Sequence, residues 1–567
     1  MTNAYMARIA RNSAQDCLDR RQRGVGLSAI LIILFVVTLH FAVGYATSRD
    51  PWSDESMLLW NILKPELDFS KPLPFYDQAA PVGYMWIARA LLPDSGVLEQ
   101  VRWLRFVSVA AILIGIVAII YGISKTYSLA YTLAITAIIL SSPLIWAYST
   151  EIKQYGLEFS ASTLVLLSGW RLVERDDWLS HLGFFACSII AGFAAYTAPI
   201  IVCAVLAGVF SQRLIHLIRR DVSPHNSSAY PGPLSARFII AGTMSVLAIV
   251  TIYFLINKQL LTYIMSGYAY IFDRGKFDFD QSFGYNVKII IRLIAILLDP
   301  IGFRYIEPAI RAATPLKSVA YASSALIGAG LIVAMVILAA RAGTFFVLTF
   351  IAVFGISIVL NLLGLIAFDQ ARFFLFIAPV TLIVAAIALV EGWRFLASFL
   401  SRRLRLIAAS ALAALFLSVI FAGAYRQAKW QNQELSPLLA HIATHAPTVP
   451  LWVYCGAQPA ASLLSSPTVR LVGMLDRTSS PEAWPIRGGC MEKASIDEPV
   501  YKVNPGYIDD LRRDSTGERA IWLIFSHDFY DDNRSAYLSA VESSVGPCRI
   551  SAEAIGATLY FCGRNTP

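Results

Sequence analysis

The sequence predicts an α-helical polytopic membrane protein with a small α/β domain at its C-terminal end. Three observations carry that prediction. Of 567 residues, 57% are hydrophobic and only 15% are charged, whereas a water-soluble globular chain carries about 25% charge. Apolar runs of roughly 20 residues, the length that crosses a bilayer core of about 30 Å, recur along the first three quarters of the chain. From about Arg426 onward, proline, charge and short β-like runs take over. The same numbers exclude a disordered chain. The balance of 46 Lys and Arg over 38 Asp and Glu gives a net charge of +8. These arginines sit beside apolar runs, so membrane topology accounts for them and no nucleic acid partner is implied.

A basic tail, 1–26, opens the chain with Arg8, Arg11, Arg20, Arg21 and Arg23. The apolar run from Gly26 to Ala46 is long enough to span and exceeds the usual signal-peptide core, with a signal peptide cleaved poorly near Ala46 as the alternative. As a first span it places the tail in the cytoplasm and Asp50 outside. A transmembrane module covers 27–425, with a long first external loop at 47–102. Further spans are expected near 104–124, 127–146, 156–173, 180–197, 199–216, 238–256, 319–340, 343–366, 373–396 and 406–424, eleven with the first. The stretch 286–298 is short and carries Lys288 and Arg292, so it reads as interfacial or re-entrant. The expected cytoplasmic loops hold Lys125; Arg171 and Arg175; Arg213, Arg219, Arg220 and Arg237; Arg341; and Arg402, Arg403 and Arg405. Each turn therefore obeys the positive-inside rule. A second external loop covers 257–318; its stretch Asn257–Tyr285 alternates aromatic and charged residues and reads either as an interfacial helix or loop among membrane lipids or as a lid over a lipid headgroup.

An odd number of spans leaves 426–567 outside. Strands are expected at Leu451–Cys455, Ala520–Phe525 and Thr558–Cys562, and a helix at Pro505–Arg512. This domain holds Cys455, Cys490, Cys548 and Cys562. An even number of cysteines in an oxidising compartment permits two disulfides, with 548–562 facing across a hairpin and 455–490 as the other pair. Four small buried thiols are the alternative.

A transporter needs ionisable groups near mid-span. Here the informative acids lie just outside span ends, which favours chemistry at the outer boundary. The first external loop reads SRDPWSDESMLLWNIL and then FYDQAAPVGYMWIARALLP. Asp54 and Glu55 open an amphipathic helix whose Met57, Leu58, Trp60, Asn61 and Ile62 are expected on the membrane surface. Acids in a first helical turn also cap free N–H groups. Trp52, Trp60, Trp86, Tyr76 and Tyr84 also fit an interfacial aromatic belt. The corner WAYSTEIKQYGLE gathers Glu151, Lys153, Gln154 and Tyr155 on the same side. Arg372, in FDQARFFLFIAP, offers either a fork for phosphate oxygens or a snorkelling anchor. No GxxxxGK loop, GxGxxG fingerprint or HExxH motif is present. His441 and His445 read as surface residues, and His527–Asp528 beside Asp531–Asp532 as turn residues.

These motifs resemble the GT-C superfamily of polyprenyl-phosphate-sugar glycosyltransferases. The similarity is greatest to the bacterial branch of aminoarabinose and galacturonosyl transferases, which is related to protein O-mannosyltransferases. The acidic pair after the first span is Asp54–Glu55. The acid with a P-x-x-Y element in the same loop is Asp77, with Pro81 and Tyr84. The arginine in an R-x-x-S context at the second span is Arg105, with Ser108. The stretch from Pro143 through Tyr148 and Glu151 to Tyr155 is similar to the family's turn after span three. Some relatives place a lysine after the second acid, where this chain has Gln78.

The resemblance implies sugar transfer, with inversion, from a polyprenyl-phosphate donor to a hydroxyl on a glycan, lipid or protein acceptor. The reaction would take place on the outer face of a bacterial cytoplasmic membrane. Asp54 is the expected general base and Asp77 a second catalytic group. Arg105, Lys153 and Arg372 are expected on the donor phosphate, with Lys71 a weaker candidate. Glu55, Tyr84, Glu151, Gln154 and Tyr155 are expected on substrate. No ligand cluster requires a metal, although a divalent cation is compatible with the chemistry. A lipid or polysaccharide translocator and a non-catalytic assembly protein are the competing classes.

Overall fold

The computed structural model describes residues 50–63, 73, 78, 80–222, 235–257, 277–278, 280–301, 317–366, 368, 371–428, 433–472, 491–493, 501–503, 505–526 and 534–564. Two short helices, α1 (Ser53–Leu63) and α2 (Val82–Ala90), precede the spans. The helices of the transmembrane module follow: α3 (Val97–Thr126), α4 (Leu129–Ser141), α5 (Pro143–Ser149), α6 (Tyr155–Glu174), α7 (Trp178–Ala194), α8 (Ala198–Val222), α9 (Ala236–Ile252), α10 (Phe283–Leu298), α11 (Lys317–Ala339), α12 (Thr344–Leu362), α13 (Ala378–Phe399) and α14 (Arg402–Ala428). Six helical stretches among the described residues are long and apolar enough to cross a membrane, and three shorter apolar ones accompany them. The protein is a multi-pass membrane protein. Leu326, Phe399 and Phe421 are more than two-thirds exposed on these helices, as lipid contact requires.

Ten of the eleven expected spans correspond to described helices, and the first lies outside the described residues. Two differ in form. The span expected at 127–146 breaks at Ser142, whose hydroxyl caps the turn begun by Pro143. The span expected at 373–396 begins as a 3-10 turn, Ala371–Ile377, before α13. The 286–298 stretch lies within α10, a continuous helix of 16 residues. At about 1.5 Å per residue it measures some 24 Å, short of a full crossing.

Helix α6 lies at the centre of the bundle and packs against α3, α7, α8 and α13. Its approach to α3 is close because Gly156 has no side chain. A Cβ there would lie 2.5 Å from the Ser108 carbonyl oxygen. Small residues let membrane helices meet in this way. One turn deeper, the Ser160 hydroxyl donates to the Ala111 carbonyl and accepts from the Gly115 N–H at 3.0 Å. At the opposite end, Asp176 fastens three helices. Its carboxylate takes Arg213 at 3.2 Å and the Ser235 hydroxyl at 2.9 Å, and its carbonyl takes Arg237 at 2.7 Å.

The C-terminal domain is a five-stranded mixed sheet in the order β2-β1-β5-β7-β6, where β1 is Leu451–Val453, β2 Leu471–Val472, β5 Ala520–Ser526, β6 Cys548–Ala554 and β7 Ala557–Gly563. Strands β1, β2 and β5 run parallel, while β7 is antiparallel to β5 and to β6. A separate antiparallel pair joins β3 (Met491–Lys493) and β4 (Tyr501–Val503). Helices α15 (Ser436–His445) and α16 (Gln458–Leu464) supply side chains to one hydrophobic face of the sheet. Helices α17 (Pro505–Ser515) and α18 (Arg534–Glu542) cover the other, with Trp452, Tyr507, Phe525 and Tyr537 between them. Cys548 and Cys562 are opposite each other in the β6–β7 register and form a disulfide. Cys455 is disulfide-bonded too, and Cys490 lies outside the described residues.

Candidate functional site

The site grows from α1. The apolar run after Asp54 and Glu55 makes the helix, but it does not lie on a membrane surface as expected. Met57, Leu58, Leu59, Asn61 and Ile62 are buried. Leu58, Leu59 and Ile62 share a core with Tyr84 and Met85 of α2, Leu104 of α3 and Ile152. Tight packing on three sides thus sets the position of the acidic first turn.

The two acids of that turn have different environments. Glu55 is fully buried. Its Oε1 accepts from Arg105 Nε at 3.3 Å and from the Ile152 N–H at 2.9 Å. Its Oε2 accepts from Arg105 Nη2 at 2.6 Å and from the Trp52 N–H at 3.2 Å. The Trp52 bond is the backward half of a capping box. Arg105 also donates to the Asp50 carbonyl at 3.1 Å. Glu55 and Arg105 thus form an internal latch joining α1, α3 and the 150–153 corner. Ser108 reinforces it by donating to the Glu151 carbonyl at 2.7 Å. The R-x-x-S element thus ties one turn of α3 to that corner.

Asp54 is different. Its side chain is 25% exposed and its Oδ2 lies 3.9 Å from Lys153 Nζ. Lys153 is buried, and its ammonium donates to the Gln78 Oε1 at 2.6 Å. Gln78 in turn rests its amide on the Met57 sulfur at 3.4 Å. Position 78 therefore receives a cation from the opposite corner. A carboxylate that keeps solvent access beside a held ammonium is able to take up a proton while the cation faces a developing negative charge.

The remaining expected residues fall at varying distances from this pair. Tyr84 is buried and its hydroxyl has no hydrogen-bond partner among the described residues. Burial first, and then the charge of Glu55, push that hydroxyl well above the ordinary tyrosine range, so it stays a donor. Tyr155 is buried and packs edge-on against Tyr148 at 5.2 Å, so it belongs to the core. Gln154 keeps a buried carbonyl oxygen without a hydrogen-bond partner among the described residues. The Glu151 backbone carbonyl serves Ser108 and the Lys153 N–H. Asp77 and Lys71 lie outside the described residues. Arg372 is described only as backbone of the 3-10 turn before α13.

Sequence reasoning missed Asp50, the role of Ser108 and the Gln78–Lys153 contact. It also passed over Glu158, a buried acid in the first turn of α6 that accepts from the Thr197 hydroxyl. The signals present were the position of Asp50 at the start of the acidic loop, Ser108 in the R-x-x-S element and Gln78 in place of a lysine. Among the described residues, no group of three or more His, Cys, Asp or Glu side chains is placed to hold a metal ion.

No protein-family profile matches the chain, and no curated protein does. Solved structures do. ArnT from Cupriavidus metallidurans bound to undecaprenyl phosphate superposes with a TM-score of 0.50 at 12% identity, covering 94% of this chain and 98% of that one. The apo form of the same protein gives 0.50 at 11% identity, over 94% and 97%. An Archaeoglobus fulgidus oligosaccharyltransferase complexed with zinc and sulfate aligns at 0.42 and 11% identity, over 90% of this chain and 70% of its own. The chain thus shares the fold of ArnT over 94% of its length.

Proposed function

We propose that this protein transfers a sugar from a polyprenyl-phosphate donor to a hydroxyl acceptor at the outer face of a bacterial cytoplasmic membrane, with inversion. The observation that carries the reading is the Asp54–Lys153 pair. A partly exposed acid of the first external loop meets a held cation of the 150–153 corner, and a solved protein of similar fold is bound to undecaprenyl phosphate.

In this mechanism the acceptor oxygen attacks the anomeric carbon, its proton passes to Asp54, and the bond from that carbon to the phosphate oxygen breaks. Negative charge grows on the departing phosphate, where Lys153 stabilises it more in the transition state than in the ground state. Gln78 holds the ammonium against drift. Tyr84 supplies a protonated hydroxyl near the acid pair, and Asp77 is assigned to positioning the acceptor. Arg372 is kept as a second phosphate ligand. Arg105 acts indirectly by holding Glu55.

The test is sugar transfer from radiolabelled polyprenyl-phosphate sugars, incubated with membrane extract, by wild type and Asp54→Asn. General-base catalysis contributes roughly 10²- to 10⁴-fold, and a normally folded Asp54→Asn protein should lose that much. Equal transfer by both proteins would remove Asp54 from the chemistry.

A further inference from the structure

We infer that the C-terminal domain sets the position of Asp54, and that Asp50 is the positioning residue through which it does so. The catalytic half of this inference rests on the sugar-transfer reading; the structural half does not.

Asp50 is 4% exposed and bonds in two directions. Its Oδ2 accepts the backbone N–H groups of Leu435 and Ser436 at 2.7 and 2.6 Å, and its Oδ1 accepts the Ser436 hydroxyl at 2.6 Å. Helix α15, which opens the C-terminal domain, has no side-chain cap from its own Leu435. Asp50 therefore supplies a carboxylate to the free N–H groups and positive dipole end of a helix nearly 400 residues away in sequence. In the other direction, the Asp50 carbonyl accepts Arg105 Nη2, the same nitrogen that holds Glu55.

Two more bonds place α1 under the domain's control. The Ser53 N–H donates to the buried Gln433 Oε1 at 3.2 Å. The Trp60 Nε1 donates to the Pro459 carbonyl at 3.2 Å, in α16. Helix α16 packs along α1, and Leu463 joins the core beneath it. Asp54 thus lies on a helix gripped by the domain both before and after it. A simple docking contact would leave these groups solvated; here Asp50, Ser53, Asn61, Gln433 and Glu55 are all buried. Catalytic groups need placement within about 0.5 Å, and a 1 Å displacement is able to cost about 100-fold in rate.

The experiment uses full-length Asp50→Ala, Asp50→Asn and Ser436→Ala in detergent. It reads hydrogen exchange over residues 53–63 and 435–445 together with kcat and donor KM for sugar transfer. Asp50→Ala should speed exchange in both segments and lower kcat by about 10- to 100-fold, with donor KM within about threefold. Asp50→Asn keeps an acceptor oxygen for both N–H groups and should restore most of the rate. Ser436→Ala, which loses one bond, should fall between. If Asp50→Ala does not fold, the other two variants decide. Exchange in 53–63 that stays at the wild-type rate while 435–445 loosens overturns the inference, as does an unchanged kcat. Should wild type transfer no sugar, the functional reading fails, and the exchange data alone judge the positioning.

Discussion

Removing the guanidinium at position 105 tests the latch directly. Glu55 is fully buried and accepts four hydrogen bonds, two of them from Arg105. The pair closes to 2.6 Å with side-chain exposures of 9% and 0%, so solvent screens it little. Arg105→Ala leaves a buried carboxylate without its counter-charge, which costs about 3–5 kcal/mol. The backbone N–H groups of Ile152 and Trp52 both donate to this carboxylate, so their hydrogen exchange reports the latch. A loss of that size corresponds to roughly 150-fold to several-thousand-fold faster exchange. Glu55→Gln also damages the latch, because its amide nitrogen must face donors in either orientation. The double variant Glu55→Gln with Arg105→Gln should recover part of the loss, since two neutral groups leave no isolated charge. A phosphate-binding Arg105 would behave otherwise: Arg105→Ala would raise the donor KM and leave both amides protected. The latch argument fails if Ile152 exchange rises less than about fivefold, or if the single effects add within about 0.5 kcal/mol.

Four other outcomes are expected. On the sugar-transfer proposal, in which its charge faces the departing phosphate, Lys153→Met should lower kcat by more than it raises donor KM; equal transfer would assign the phosphate to Arg372 or another cation. Gly156→Val should destabilise the bundle by about 1–3 kcal/mol, since even a Cβ would meet the Ser108 carbonyl at 2.5 Å; a thermal midpoint equal to wild type would refute the close approach. Cys548→Ser opens a loop of sequence separation 14 and should cost about 3 kcal/mol on the chain-entropy view, read as the denaturant midpoint of the C-terminal domain. Glu434 has its carboxyl raised by burial and then by Asp50. Its charged form therefore opposes folding above the raised pKa, and Glu434→Gln should stabilise the protein there. The gain should vanish as pH falls below the ordinary glutamate value of about 4.3, where the native side chain is already protonated. A gain that persists at low pH would refute that sign.

The spans were legible because a bilayer demands long apolar runs and the basic loops give their orientation. The β-strands at 520–526 and 557–563 and the hairpin that brings Cys548 to Cys562 were legible for local reasons too: short apolar runs and a tight turn. Helix α1 was legible as a helix, but its environment was not. Its apolar face suits a membrane surface as well as a protein core, and only α2, α3 and α16 decide between them. The site was legible as a set of residue types. Which charges pair was not, because Arg105 lies 50 residues from Glu55 and Lys153 lies 75 from Gln78. Read singly, Arg105 looked like a phosphate ligand, and only the fold shows it bonded to Glu55. Asp50 carried no signal beyond its neighbours, since its partners are set by where the C-terminal domain folds back.

That fold-back has a consequence for the order of events during synthesis. Every residue of the Glu55–Arg105–Ile152 latch has left the ribosome once the first third of the chain is made. The Asp50 carboxylate must then wait for Ser436. At 5–20 residues per second, roughly 280 further residues take on the order of 15–60 s. During that interval the acid pair is held from one side only. A nascent chain can thus occupy the membrane with Asp54 not yet in register, and a domain translated after the spans is the one that completes the first loop.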